Sequence, residues 1–499
     1  MEFLRFLKLP ELVRGIISGL LSLVILFVPH STYTTVGETS KYMLTGDETF
    51  SYNGEKWTVG FAKEVLTPDD ITEESYYIAG YNTNNPAKSV LDDMYAKAVY
   101  LDDNSGRGGV VICAVDCVGI SRKDINDIRK IVIESGKIPD LKSINICATH
   151  THSAIDTQGL WGKNFFSDGK NEEFMNRLKE LTAKAIIDAY SARKDGSLYL
   201  GTAETEGLLT DTRTPIDYDA TITRIRFDPA DGSDDTYIVN MACHAECLGA
   251  RTTVVSADFP AYMEKEMIDQ TGSANVVFIN GAIGGLITCE KLDDVLRNFE
   301  LGLEYVREFG KDVGEAVMSI NNETALQPAI NVKTQALEIK CDNTALLLVR
   351  FLGVLNNDVA KDNDVAKDND NNISIITEVS YMELGNMQIG VYMIPGELSP
   401  ELESGNFLPA EEAANGTKAD YKSLSEMSRC EHNFVIGLCN DEIGYIIPEN
   451  DFLLHEWLPY FNNTDDENGR RHYEETNSLG PNAAGAILDA MDELIKSVE

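Results

Sequence analysis

Positive charge is scarce in this sequence of 499 residues. Its 42 lysine and arginine residues stand against 81 aspartate and glutamate residues, so the formal net charge at pH 7 is −39. A nucleic-acid partner demands a basic face for its phosphates, and this composition argues against one. Hydrophobic residues make up 43% and charged residues 25% of the chain, as in ordinary folded proteins rather than disordered ones.

The nine cysteines do not form the pattern of a disulfide framework. Four of them lie in or beside apolar runs, where a free cysteine packs as a small core residue: Cys113, Cys147, Cys243 and Cys439. Cys243 and Cys247 flank His244, so a thiolate ligand is an alternative at that point. No second cysteine pair with zinc-ribbon spacing accompanies them, and core packing is the favoured interpretation.

A run of apolar residues long enough to meet a membrane occurs once, at the N-terminus. Residues 15–28 follow Arg5, Lys8 and Arg14 and end at Pro29. A membrane-spanning helix needs about 20 apolar residues, and the apolar core of a signal peptide about 7–15. Residues 1–29 are therefore predicted to be a signal peptide or, since no clear cleavage site follows, a signal-anchor. Either places the remainder outside the cytoplasm, secreted or anchored to the membrane, because positive charge stays inside.

After a polar connector at residues 30–56, apolar runs rich in valine and isoleucine alternate with helical patterns such as 172–192. Continuous apolar strands are typical of sheets covered on both faces. Their alternation with helices predicts an α/β domain over residues 57–499, with a large mixed sheet and helices on both faces. A hexapeptide duplicated at 357–368 marks residues 356–372 as a low-complexity insertion.

Polar side chains follow several predicted strands at the point where each strand ends. His150 and His152 follow the run 143–148, and side chains at i and i+2 of an extended segment point to the same face. His244, Glu397 and Tyr445 come shortly after later runs. Because ligands bind at the carboxyl ends of strands in open α/β sheets, these residues predict a metal site suited to zinc. The alternative is a hydrogen-bonded histidine pair in a loop.

Six stretches of the chain, taken in order, resemble the N-terminal catalytic domain of the neutral, non-lysosomal ceramidases. Together they cover about residues 57–495. The Thr-His-Thr-His-Ser and Ser-Ala-Asp-Phe-Pro motifs are the most specific of them. The stretches are 59–68 (VGFAKEVLTP), 79–81 (AGY), 148–153 (ATHTHS), 255–260 (VSADFP), 394–397 (IPGE) and 440–445 (NDEIGY).

The resemblance implies a zinc-dependent hydrolase of an N-acyl amide bond that acts through zinc-activated water, with a ceramide-like lipid as the expected substrate. Four residues match the family's zinc ligands, namely His150, His244, Glu397 and Tyr445. The histidine beside the substrate matches His152, for which we expect the role of general acid. The family's arginine and further tyrosine, which contact the scissile amide, match Arg213 and Tyr473 more loosely.

The sequence departs from the family in three places. The family's Gly-Asp-Val-Ser-Pro loop aligns with Gly281–Gly285, where the aspartate and the serine are both absent. Ala154 and Ile155 stand where Gly-Pro usually follows the histidine motif. No immunoglobulin-like C-terminal domain is expected after Gly480-Pro481. These differences disfavour a serine nucleophile and leave two alternatives open: a zinc hydrolase of another cell-envelope amide or ester, and a surface binding protein without turnover.

Two aspartates, Asp116 and Asp258, also stand beside predicted strands. Asp116 follows the run 110–115, and Asp258 lies within the Ser-Ala-Asp-Phe-Pro motif. Each could orient a histidine ligand from behind, or could cap a turn. The sequence does not choose between these two roles.

Overall fold

The computed structural model describes residues 33–71, 75–205, 207–361 and 373–498. The predicted signal segment, residues 1–29, and much of the predicted insertion at 356–372 lie outside these ranges. No helix within them is long and apolar enough to cross a membrane. The predicted connector packs along a sheet edge, where Gly46 pairs with Lys333 and Asp47 accepts a hydrogen bond from Val332 N at 3.1 Å.

A mixed sheet of nine strands forms the larger half of the described structure. Its strand order is β11-β9-β8-β6-β1-β3-β4-β5, with β13 beside β6; the outer pairs β11/β9 and β4/β5 are parallel and the other pairs antiparallel. The strands are β1 (Trp57–Val65), β3 (Tyr95–Asp102), β4 (Gly109–Val115), β5 (Leu141–Ala148), β6 (Lys194–Glu204), β8 (Thr221–Pro229), β9 (Thr236–Met241), β11 (Asn275–Asn280) and β13 (Thr324–Ala325).

A second sheet of five strands lies against the first, in the order β14-β16-β17-β19 with β15 beside β16. Only β17 and β19 are parallel. Its strands are β14 (Ile330–Lys340), β15 (Val359–Lys361), β16 (Ile373–Leu384), β17 (Ile389–Met393) and β19 (His432–Ile436). Short pairs complete the strands: β2 (Ser89–Val90) with β10 (Val254–Val255), β7 (Leu209–Asp211) with β12 (Ile287–Cys289), β18 (Glu397–Leu398) with β20 (Tyr445–Ile446), and β21 (Thr464–Asp465) with β22 (Arg471–His472).

Helices cover the outer face of each sheet. The apolar faces of α2, α3, α4 and α6 join the core on the large sheet, and those of α7, α9 and α10 join the core on the second sheet. The helices are α1 (Val36–Thr39), α2 (Arg122–Glu134), α3 (Glu172–Ser191), α4 (Phe259–Thr271), α5 (Leu292–Val295), α6 (Phe299–Ser319), α7 (Thr344–Phe351), α8 (Pro400–Ser404), α9 (Leu424–Met427) and α10 (Asn482–Lys496).

Strand β4 shows why two sheets stack. All seven of its residues are buried, and alternate side chains enter different cores. Val111 and Cys113 face the helices, whereas Val110 and Ile112 meet the second sheet at residues such as Val391. The predicted α/β architecture with a large mixed sheet is confirmed. The structure adds that the two helical layers enclose a pair of sheets, so one face of the large sheet is covered by strands.

A buried ion pair ties α2 to the second sheet. Glu378 on β16 is fully buried and accepts from Arg122 Nε at 3.0 Å and from Arg129 Nη2 at 2.7 Å. The two guanidinium groups hold the pKa of Glu378 below its usual range although burial alone would raise it. Removal of one partner from a buried pair is costly because it strands the other charge away from water.

We expect Glu378→Gln to lower the free energy of unfolding by about 3–5 kcal/mol, because Arg129 loses its carboxylate partner and Arg122 keeps only Asp358, at 3.7 Å. Urea denaturation followed by tryptophan fluorescence measures the loss. Asp269→Asn, which breaks an exposed pair with Lys265, is the matched control and should cost less than about 1 kcal/mol. Equal losses in the two variants would show that Glu378 does not stabilise the junction.

Candidate metal centre

His150 stands two residues after β5, at a sharp turn of the backbone. Its φ is +61°, a left-handed conformation that a non-glycine residue seldom adopts. The Nδ1 atom lies 2.6 Å from the backbone oxygen of Val118. A carbonyl oxygen can only accept, so Nδ1 carries the proton and Nε2 keeps its lone pair. The two histidines of the motif therefore converge through a kinked segment, and the predicted extended geometry is wrong at His150.

His244 is held in the same way at the end of β9. Its Nδ1 atom donates to the backbone oxygen of Ile287 at 2.8 Å, and its Nε2 atom lies 3.1 Å from Glu397 Oε2. The same carboxylate oxygen is 3.7 Å from His150 Nε2. Two imidazole lone pairs and a carboxylate oxygen thus face one another in a buried space. Such a set of acceptors needs a positive charge among them.

His152 completes a cluster of three imidazoles. Its Nε2 atom is 3.1 Å from His150 Nε2, and one ring nitrogen from each of His150, His152 and His244 lies within 4.8 Å of the others. Burial lowers the pKa of His150 to about 3 and that of His152 well below its usual value, so both rings are neutral. Burial also acts to lower the pKa of His244, but the Glu397 carboxylate outweighs it and the pKa is raised. Neutral imidazole is the form that binds metal ions.

Glu397 and Tyr445 reach the site from the segments that follow β17 and β19 of the second sheet. They are directly paired residues of the short parallel strands β18 and β20. The Tyr445 ring is buried and lines the same cavity as Glu397. Burial and the Glu397 charge raise the pKa of the Tyr445 phenol well above its usual value. The structure brings Glu397 into the histidine cluster and Tyr445 to its border; the ligand role of Tyr445 stays a prediction.

Three imidazole nitrogens and a carboxylate oxygen form a donor set that suits a divalent metal ion of borderline softness. The group differs from the sequence prediction in one respect. The sequence predicts that His152 lies beside the substrate and is not a ligand. Its Nε2 atom is nevertheless 3.1 Å from His150 Nε2, the same distance as that between Glu397 Oε2 and His244 Nε2. His152 is therefore a candidate ligand as well as a candidate acid.

Tyr473 and Arg213 occupy different environments. Tyr473 lines the cavity, with its ring 6.4 Å from that of Tyr445. Arg213 is not among the lining residues; its guanidinium is buried and donates to Glu474 at 2.8 Å, to Asp451 at 2.9 Å and to Glu475 at 3.2 Å. Those carboxylates raise the pKa of Arg213 against the effect of burial. Arg213 thus anchors the segment that carries Tyr473, and the structure gives it no direct path to a substrate.

Two residues of the site were missed by the sequence reasoning. Glu246 Oε2 lies 3.4 Å from His152 Nδ1, and Tyr81 donates a short hydrogen bond to the same carboxylate. The Tyr81 ring also packs edge-on against His152, with 5.0 Å between ring centres. A signal was present in the sequence, because Glu246 follows His244 at the same i, i+2 spacing as the histidine pair, and Tyr81 belongs to a stretch that resembles the ceramidases.

Asp116 and Asp258 fix the loops that carry the histidines without touching the rings. Asp116 accepts from Thr149 Oγ1 at 3.1 Å and from Tyr95 N at 2.8 Å. Asp258 caps α4 and also accepts from the backbone N–H groups of residues 247 and 248, at 3.0 and 3.1 Å. Asp258 therefore has the capping role of the two proposed from sequence. Asp116 has neither role, because it joins β3 to Thr149, the residue before His150.

The thiols of Cys243 and Cys247 are fully buried, and burial raises the pKa of both well above the usual value. They are therefore core thiols in this structure, as the favoured interpretation predicted. The nearby loop Gly281–Gly285 packs against the Glu397 segment. A Cβ atom on Gly284 would lie 2.4 Å from the Glu397 backbone oxygen, so only glycine fits this close approach.

A cavity of about 550 Å³ opens beside the cluster. His150, His152 and Glu397 lie on its wall, and most of the remaining wall is apolar. The apolar lining comes from the segments around α5 and α7, from three loops and from β16. It includes Leu160, Trp161, Leu286, Leu292, Leu296, Leu346, Leu347, Leu355, Ile375 and Leu479. Polar groups confined to one part of an apolar cavity are typical of a ligand-binding site.

No family model and no curated protein matches the sequence. The fold does match solved structures. The crystal structure of neutral ceramidase from Pseudomonas aeruginosa is similar over 89% of this chain and 74% of its own, with 13% identity and a TM-score of 0.65. A ceramidase complexed with C2 is similar over 89% of this chain and 75% of its own, with 13% identity and a TM-score of 0.66. At this identity the likeness shows a shared fold, and it confirms the resemblance at that level.

We expect the purified protein to hold about one divalent metal ion per chain. His150→Ala and His244→Ala should lose it, because each removes a nitrogen from the one histidine cluster of this kind found in the described residues. Elemental analysis by mass spectrometry after gel filtration measures the content. His432→Ala, at an exposed ring on β19, should keep the metal. A metal-free wild type, or full retention in both variants, would contradict a metal site here.

Proposed function

We propose that this protein is a zinc-dependent hydrolase of an N-acyl amide bond, with a ceramide-like lipid as the expected substrate. The observation that carries the proposal is the buried group of His150, His244 and Glu397 beside an apolar cavity, with His150 and Glu397 on its wall. The fold shared with solved ceramidases supports the choice of an amide-bearing lipid.

His150, His244 and Glu397, with Tyr445 at their border, would hold the zinc ion. Nitrogen and carboxylate donors are common zinc ligands in hydrolases. When bound, zinc lowers the pKa of a coordinated water and polarises a carbonyl group. The backbone carbonyls that fix both Nδ1 protons keep the Nε2 lone pairs directed into the site.

His152 and Glu246 are the candidates for proton transfer. The Nε2 atom of His152 faces the cluster, where it would accept a proton from the attacking water. Burial lowers the pKa of the ring and opposes this step, so a counter-charge is needed beside it. The Glu246 carboxylate, 3.4 Å from Nδ1, would balance the resulting positive charge. His152 would then deliver that proton to the leaving amine, which departs poorly as an anion.

Tyr473 is the candidate for holding the scissile carbonyl group. Tyr473 is 39% exposed, but partial desolvation of its phenol and the charges of Glu397 and Glu474 raise its pKa. The phenol therefore stays protonated and can donate a hydrogen bond to a developing oxyanion. Arg213 would act indirectly, through the carboxylates that hold the Tyr473 segment.

The apolar cavity wall supports a hydrocarbon chain in the substrate. Two separate segments contribute leucine side chains to this wall. Leu347 comes from α7, and Leu296 comes from the segment after β12. A hydrocarbon in contact with them gains about 25 cal/mol per Å² of apolar surface removed from water. A shallow polar cleft would offer no such gain to a lipid.

We expect the zinc-loaded protein to hydrolyse a fluorescent short-chain ceramide. His152→Ala should lower kcat by roughly 10²–10⁴-fold through loss of proton transfer. Chromatographic separation of the released fluorescent acid measures the rate, and His432→Ala should retain the wild-type rate.

Metal content decides between the two roles of His152. A His152→Ala variant that keeps its zinc and loses turnover supports proton transfer, whereas one that loses both supports a third histidine ligand. Zinc in the wild type with hydrolysis of other amides or esters only would favour the alternative substrate. Zinc with no turnover on a broad amide and ester panel would favour a binding protein, an alternative that the missing serine in the Gly281–Gly285 loop motivates.

A further inference from the structure

The most exposed aromatic side chains of the described residues lie in two loops and on the cavity wall. We call residues 159–169 the Phe166 loop and residues 452–463 the Trp457 loop. Apolar side chains that are exposed singly are normal, whereas a group of them marks a site of interaction. Leu352 and Leu458 belong to this group as well. The aromatic members are each 36–62% exposed: Phe165, Phe166, Trp457, Phe461 and Tyr473.

The two loops stand at opposite ends of α7. Tyr460 of the Trp457 loop belongs to a small buried cluster with Ala345, in the first turn of α7. Leu160 of the Phe166 loop packs against a cluster that contains Val349, in the last turn. Between these turns, α7 contributes Leu347 to the wall of the cavity. The exposed loops are therefore fixed to the helix that forms part of this wall.

The apolar surface of the loops continues into the cavity. Trp161 belongs to the Phe166 loop and lines the cavity. Leu286 also lines it and packs against the buried cluster of the Trp457 loop. Tyr473 is both exposed and on the cavity wall, so the cavity reaches the surface of the protein here. A hydrocarbon chain could thus pass from the loops to the cavity along apolar side chains.

The described chain begins beside the same helix. The Tyr33 ring lies 6.2 Å from that of Phe351, the last residue of α7, and the next residue, Leu352, is 52% exposed. The apolar run at residues 15–28 ends five residues before Tyr33 in the sequence. Five residues reach roughly 18 Å at most. A membrane that held this run would therefore lie within that distance of the C-terminal end of α7.

We propose that the Phe166 loop, the Trp457 loop and Leu352 dock on the surface of a lipid bilayer, with the cavity opening towards the lipid. Aromatic side chains are favoured at membrane–water interfaces, and binding there grows with the apolar area that is buried. A rigid protein partner would cover the opening, whereas a bilayer can supply an occupant through it. The net charge of −39 favours a zwitterionic surface over an anionic one. The inference does not depend on amide hydrolysis.

Tryptophan fluorescence tests the contact directly, because the chain has only three tryptophans. The full chain is mixed with phosphatidylcholine vesicles whose acyl chains carry bromine, which quenches tryptophan on contact. The predicted anchor is present in every variant, so the quenching reports the loops. We expect strong quenching in the wild type and loss of most of it in Trp457→Phe, since Trp57 is buried. Unquenched wild type, or equal quenching in Trp457→Phe, would overturn the proposal.

Lipid charge provides a second readout of the same contact. We expect anionic phosphatidylserine in the brominated vesicles to weaken the quenching, because the protein carries a large negative charge. Stronger quenching on anionic vesicles would assign the contact to basic groups and would overturn docking by apolar loops.

The rate of hydrolysis shows whether docking serves the cavity. The variant with Phe165→Ser and Phe166→Ser should hydrolyse a long-chain amide in phosphatidylcholine vesicles roughly 10-fold more slowly, because less apolar surface enters the bilayer. Its rate on a water-soluble short-chain amide should be unchanged. Leu301→Ser, at an exposed position on α6, is the control and should keep both rates. Unchanged rates in the loop variant, or equal losses on both substrates, would contradict the proposal.

Two further outcomes identify what would replace the proposal. Light scattering without lipid measures the oligomeric state; a wild-type dimer that the Phe165 and Phe166 variant converts to a monomer would assign the loops to a second copy of this chain. Quenching that depends on Trp457 with no amide hydrolysed would leave docking standing while the hydrolase function fails. Hydrolysis without quenching would reject docking and leave the hydrolase function standing.

Discussion

Two backbone carbonyl groups, those of Val118 and Ile287, determine what this site can bind. Each accepts the Nδ1 proton of a buried histidine and so leaves an Nε2 lone pair directed at Glu397. Acceptors gathered out of water repel one another unless a cation joins them, and a proton or a metal ion can do so. A proton is poorly held at His150, whose pKa falls to about 3 on burial, but it is held at His244, whose pKa the Glu397 carboxylate raises. A proton can therefore satisfy His244 and Glu397, whereas a metal ion could satisfy His150 as well.

The pair of stacked sheets makes this arrangement possible. His150 and His244 follow strands of the large sheet, whereas Glu397 follows β17 of the second. The site therefore depends on a rigid junction between the sheets. Asn440, just beyond β19, supplies it beside the histidines: its backbone N–H donates to the Ile146 carbonyl at 2.8 Å, and its side chain accepts from the Ile146 N–H at 3.0 Å. The left-handed turn at His150 is maintained by these surroundings.

The sequence was informative where a local rule applied. Polar residues after apolar strands identified His150, His244 and Glu397, because the ends of neighbouring strands meet at one edge. The runs also indicated that both faces of the large sheet are covered, but such a run is the same whether a helix or a sheet covers it. The burial of Arg213 could not be foreseen, because its partners Asp451 and Glu474 are more than two hundred residues away in sequence. The i, i+2 spacing of Glu246 was available and was overlooked.

Charged and apolar side chains divide the cavity wall between them. Five carboxyl groups line it, against the single guanidinium of Arg471: Glu246, Asp293, Glu397, Glu442 and Glu474. Two of the five carry little free charge, because burial raises the pKa of Glu442 well above its usual value and Arg213 pairs with Glu474 at 2.8 Å. A divalent ion and Arg471 would balance the remaining three, so a neutral amide would meet no electrostatic cost in the site. The leucine-rich part of the wall suits a hydrocarbon chain under the proposed function, and these constraints rest on side chains that the ceramidase resemblance did not invoke, such as Glu246 and Leu347.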